Sequence, residues 1–239
     1  MPDLIQDDFF ADELPPPRPD SGQAAQKPSK VIEADAPPQK PKRGAVALAP
    51  EAAQFANLAT QLPRNLRLGA STWSYPGWEG LVWDGAYSKD VLAKKGLTAY
   101  HQHPLLRTIC VDRTFWRPLT TSQYAAFAAQ VDDDFRFVVK CPAGVTDAQV
   151  RTEEGKPMES NPAFLDARLA VEHFVQPTLE GLGSKLGVLV FQLSPLPWSQ
   201  LTRTQEFFAK LGQMLAAVRQ ALAKHPQVIV AVEVRDPEL

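Results

Sequence analysis

VIVAVEVRD (Val228–Asp236) is an apolar, β-branched run that ends in charged residues. Four earlier stretches have the same form: LRLGASTW (Leu66–Trp73), TICVDRTFW (Thr108–Trp116), FRFVVKCP (Phe135–Pro142) and LGVLVFQLSP (Leu186–Pro195). Segments of helical spacing separate them. Strands alternating with helices build βαβ units and a parallel sheet, in which ligands gather at the carboxyl ends of the strands. The polar residues closing each run are therefore the first place to look for a site.

The intervening segments read as follows. Pro50 opens a short helix to about Gln61, with Phe55, Leu58 and Leu62 at helical spacing, suited to covering one end of the sheet. Lys89 to Tyr100 reads as a helix broken at Gly96, and Ser122 to Val131 as another. Asp132-Asp133-Asp134 reads as a solvated connector. Ala143 to Asn161 is a long loop, followed by a helix capped at Asn161 and continuing to about Leu182 with a kink at Pro177. From about Arg203 to Lys224, a stripe of Phe207, Phe208, Leu211, Leu215 and Val218 should pack on the sheet.

Composition excludes several classes. A hydrophobic content of 44% over 239 residues suits a globular protein, and a net charge of −2 exerts no general pull on nucleic acid or anionic membrane. No apolar stretch reaches the roughly 18 residues that a membrane helix needs. The acidic N-terminus MPDLIQDDFF lacks the basic region and apolar core of a secretory signal, so the expected location is cytoplasmic. Its Asp7-Asp8-Phe9-Phe10 is a candidate docking motif for a protein partner. Cys110 and Cys141 lie far from CxxC spacing, which argues against a zinc cluster or redox dithiol. His101-x-His103 has no nearby carboxylate to complete a metal site. Gly181-x-Gly183-x-x-x-Gly187 precedes a strand, whereas a dinucleotide fingerprint follows one. No pattern specifies a cofactor or a metal.

Positive chemistry concentrates at the run ends. Glu233 and Arg235, two apart in a strand, project to one side, where they can act as base and anion clamp or form a structural ion pair. Lys140 closes the third run as an anion contact, a Schiff-base amine or a partner for Glu233. Asp112 and Thr114 are expected on one side of the second strand, with Arg113 and Phe115 opposite. Gln192 ends the fourth strand, and Trp73, with Tyr75 and Trp78 after the first strand, can stack a ring or form an apolar rim. This set can orient a small sugar-like or organic-acid ligand without defining a reaction.

On these residues the chain is similar to the YecE-like group, domain-of-unknown-function family 72. The similarity runs from about Leu62 to the end through LRLGASTWSYPGW, VDRTFW, FVVKCP, FQLSP and VEVRDPEL. It implies a TIM-barrel-like fold with a pocket at the strand carboxyl ends, an unsettled activity, and polar positions at Asp112, Thr114, Lys140, Gln192, Glu233 and Arg235. Asp112 stands where the family usually has Asn, Trp116 where it has Tyr, and Asp236 where it often has His. The resulting expectation is an α/β chain with three parts: a disordered Pro-rich tail over residues 1–44, a helix and linker over 45–64, and a partial barrel of about five parallel strands over 65–239. The barrel is expected to be truncated at its C-terminus, since a complete one takes roughly 250 residues. Open alternatives are a five-stranded doubly wound sheet for the fold, and a non-catalytic adaptor or an inactive barrel fragment for the function.

Overall fold

A computed structural model describes residues 44–152, 155–237 and 239. The expected disordered tail therefore lies outside the described residues, apart from Gly44. The described strands are β1 (Leu68–Ala70), β2 (Leu106–Val111), β3 (Arg136–Lys140), β4 (Gln149–Arg151), β5 (Pro157–Ser160), β6 (Leu186–Gln192) and β7 (Ile229–Glu233). Five of them form one sheet in the order β1-β2-β3-β6-β7, every pair parallel, while β4 and β5 make a separate antiparallel hairpin. Order in space follows order in sequence without reversal. A doubly wound sheet has a switch point where that order reverses, so the doubly wound alternative is overturned.

The described helices are α1 (Ala56–Gln61), α2 (Lys89–Tyr100), α3 (Thr121–Ala128), α4 (Ala143–Thr146), α5 (Ala167–Ala170), α6 (Gln176–Leu182), α7 (Trp198–Leu201) and α8 (Thr204–Ala221). Several differ from expectation. Residues Pro50–Phe55 are 3-10 helical, and only then does α1 begin. The α2 helix runs through Gly96 unbroken: a Cβ there would stand 3.2 Å from the Trp73 carbonyl oxygen, so glycine serves close packing. Asn161 does not cap a helix. Its Oδ1 accepts from the Ala163 N–H, and its Nδ2 donates to the Gly144 and Asp147 carbonyls. Asp166, which accepts from the Leu169 N–H, is the actual N-cap. Pro177 lacks an N–H and crowds the carbonyl four residues back; the backbone just before it widens into a π turn over Val171–Val175.

The sheet has two unlike faces, and the strand alternation creates them. Ile109 and Val111 of β2, Phe137 and Val139 of β3, and Leu189 and Phe191 of β6 are all buried on one side. Helices cover that side: Phe174 meets Phe191 edge-on at 5.7 Å, and α8 adds Phe207, Leu211, Met214 and Val218. In the α8 stripe, Met214 is buried where Phe208 was expected, and Phe208 is largely exposed. Neighbouring helices pack in the same sequence as the strands, α3 on α6 and α5 on α8. Gly181 permits the first contact, since a Cβ there would lie 2.4 Å from the Tyr124 Cβ.

The Tyr100 hydroxyl, at the end of α2, accepts from the Ala70 N–H at 3.0 Å and donates to the Thr108 carbonyl at 3.1 Å. Burial raises its pKa, so it remains a donor. At the amino ends of the strands the acidic triplet does more than link. Asp134 pairs with Arg67 and Arg107, the Asp132 carboxylate accepts from the Phe135 N–H, and Asp133 lies 3.6 Å from the Lys185 ammonium. Near this end Phe55 packs on His103. No helix among the described residues is long and apolar enough to cross a membrane.

Candidate functional site

Strand register brings the polar run ends to the open face, opposite the helices. Laterally paired residues project to the same side: Cys110 pairs with Val138 and Val138 with Val188, Lys140 with Val190 and Val190 with Ala231, and Gln192 with Glu233. Lys140, Gln192 and Glu233 are the last residues of β3, β6 and β7. On the same face Val190 and Ala231 lie level with Lys140, and Val138 and Val188 lie one step nearer the amino ends, all partly buried. The result is a polar rim above a small apolar floor.

Asp112 reaches this rim by a route that alternation does not foresee. Strand β2 stops at Val111, and Asp112–Phe115 form a 3-10 turn, which corrects the expectation that Asp112 and Thr114 share a strand face. The fully buried Thr114 hydroxyl lies 2.7 Å from both the Val111 and the Lys140 carbonyl oxygens. Its single hydrogen serves either one, so it stabilises the turn and ties the exit of β2 to the end of β3. Thr114 thus positions the backbone of Lys140 and lies beneath the surface a ligand would touch.

The Lys140 ammonium stands 3.2 Å from the Asp112 carboxylate. Of the three roles left open for Lys140, pairing with Glu233 is not the arrangement found. Glu233 instead holds Arg235, 2.7 Å away and two residues past the end of β7. The Cys110 thiol donates to the same Asp112 oxygen at 3.0 Å. Burial, then the hydrogen bond and charge of Asp112, push that thiol up to about 12, so it stays protonated. Cys110 is only partly buried, and its place two residues before Asp112 is the sequence signal that puts it at the rim.

Gln192 Oε1 is buried and has no hydrogen-bond partner among the described residues. Around it the loop backbone is satisfied. The Leu193 N–H donates to the Glu233 carbonyl, the Ser194 N–H to the Thr146 carbonyl, and the Leu196 N–H to the Asp236 carboxylate, which gives Asp236 a structural task. Among the described residues two buried side-chain atoms lack a partner, His101 Nδ1 away from the rim and Gln192 Oε1 beside a carboxylate at the strand carboxyl ends.

Trp73 lies elsewhere. It is buried on the helix side, its indole N–H donates to the Ala93 carbonyl at 3.2 Å, and its ring meets Phe127 edge-on at 5.1 Å. The His101-x-His103 pair is likewise apart from the rim. His103 Nδ1 accepts from the Leu105 N–H, and burial lowers the pKa of both imidazoles. No group of three metal-binding side chains occurs among the described residues.

Fold and site together define an α/β protein with a five-stranded parallel sheet and a polar cluster on its open face. The chain belongs to the family described as "Protein of unknown function DUF72", whose model matches residues 67–239. Two crystal structures of a DUF72 family protein from Enterococcus faecalis are similar to it at 18% identity. One covers 59% of this chain and 48% of the solved chain with a TM-score of 0.38. The other covers 72% and 51% with a TM-score of 0.43. The chain therefore spans about half the length of these solved structures. No curated protein matches it.

Proposed function

We propose that residues 65–239 form part of a (β/α) barrel wall, preceded by a helix and linker over 45–64, and that the open face binds a small polar ligand at the strand carboxyl ends. Sequential parallel strands with helices on one side support the barrel reading. The observation that carries the ligand reading is the convergence of Asp112, Lys140, Gln192 and Glu233 on one face, with the Gln192 acceptor unsatisfied. Lys140 and Arg235 supply donors, and Glu233 supplies the carboxylate that a hydrolase or isomerase would use as a base. Thr114 enters this reading as a support beneath the rim, whereas Trp73 packs on the helix side, away from it.

The test is ligand-induced stabilisation of the chain across a metabolite panel. A ligand at about one hundred times its Kd stabilises by about 2.7 kcal/mol. Glu233→Gln and Lys140→Ala should each abolish the melting shift that a panel compound produces. A shift unchanged in both variants removes the proposed site.

A further inference from the structure

We infer that the ligand of this site is a neutral polyhydroxylated compound, a sugar or cyclitol, rather than an anion; the inference rests on the ligand-binding reading above. The first ground is charge. Lys140 and Arg235, the cations at the rim, are each held by a carboxylate of the rim, Asp112 at 3.2 Å and Glu233 at 2.7 Å. Two cations and two carboxylates cancel. An anionic ligand reaching the remaining donors of either cation would sit beside that cation's carboxylate partner, and the repulsion offsets much of the attraction.

The second ground is hydrogen bonding. The buried Gln192 Oε1 is an acceptor without a partner among the described residues, and only an O–H or N–H can satisfy it. Carboxylate oxygens offer no proton, and neither do those of a doubly ionised phosphate ester. A hydroxyl donates to Gln192 and to the carboxylates while accepting from Lys140 or Arg235, so one group type meets every partner on the rim. The third ground is the floor. Val190 and Ala231, level with Lys140, and Val138 and Val188, one step down the same face, form an apolar patch suited to the C–H face of a pyranose or cyclitol ring.

The experiment measures melting shifts and calorimetric binding on the full 239-residue chain. Its neutral probes are D-xylose, D-glucose and myo-inositol, and its anionic probes are D-glucuronate and D-glucose 6-phosphate. A neutral probe should bind while the anionic ones do not. Gln192→Leu should weaken that binding about tenfold or more. The unliganded Gln192→Leu chain should melt no lower than the parent, because the substitution removes an unsatisfied buried acceptor; this control separates lost binding from lost folding. Binding of the anionic probes alone, abolished by Lys140→Ala, would overturn the neutral-ligand inference and leave the ligand-binding reading standing. Neutral binding indifferent to Gln192→Leu would overturn the assignment to this acceptor. Binding by none of the probes at millimolar concentration would overturn both.

Discussion

The two faces of the sheet are built from alternate residues of the same strands, yet they obey different rules. On the helix side Phe137 and Val139 are fully enclosed, and each neighbour in register is another apolar side chain. On the open side Val138 and Lys140 are only partly covered, ion pairs replace apolar contacts, and one amide oxygen stays unsatisfied. Moving one residue along β3 passes from a surface that holds the fold together to one that is free to hold something else. Buried area makes the difference, since each enclosed large apolar side chain contributes about 1.5–3 kcal/mol and a half-exposed one much less.

That contrast can be broken most severely at Phe137. Phe137→Ala should cost about 3–5 kcal/mol in chemical denaturation, whereas Val138→Ala, one residue on, should cost under about 1 kcal/mol. Equal losses would mean that the open face is as tightly packed as the other. Next in size is Thr114→Val, which leaves the Val111 and Lys140 carbonyls without their hydroxyl; a loss of about 1–3 kcal/mol is expected. If ligand binding is intact after correction for stability, Thr114 does not position Lys140.

A smaller effect is expected at the amino ends. Hydrogen bonding from Arg67, followed by Arg107, holds the Asp134 carboxyl down at about 2 against an ordinary 3.8. A depressed carboxylate pKa contributes stability that is present above the unfolded value and is lost as pH falls through the folded one. Asp134 is largely exposed, so screening limits the pair network to about 0.5–1 kcal/mol. Asp134→Asn should lower the melting temperature at about pH 6, and the difference from the parent should shrink as the pH falls toward about 2 and vanish only below it. The smallest change is expected from Glu233→Gln, within about 0.5 kcal/mol of the parent because the Arg235 pair is half-exposed. A large loss there would make the pair structural.

Much of this contrast was legible before any coordinates. The five sheet strands and their parallel pairing follow from β-branched runs spaced by helical segments, because parallel strands need a crossover connection, usually a helix, between them. The β4–β5 hairpin leaves no mark in the sequence pattern, since PMES at Pro157–Ser160 carries no alternation, and all four residues are exposed. The turn after Val111 was read as strand because Thr114 fits a strand by type. Its buried hydroxyl, within reach of the Val111 and Lys140 carbonyls and donating to either one, outweighs that propensity.

Where β3, β6 and β7 end is therefore a property of the chain's own pattern, and so is the choice of Asp112, Lys140, Gln192, Glu233 and Arg235 as polar candidates. Their partners are not. Lys140 meets Asp112 because β3 lies directly beside β2, while β6 intervenes between β3 and β7. Strands stand about 4.8 Å apart, so Glu233 is two spacings away and turns to Arg235 instead. Local periodicity sets the direction of each side chain, but lateral strand order sets which charges meet, and that order exists only once the sheet has formed.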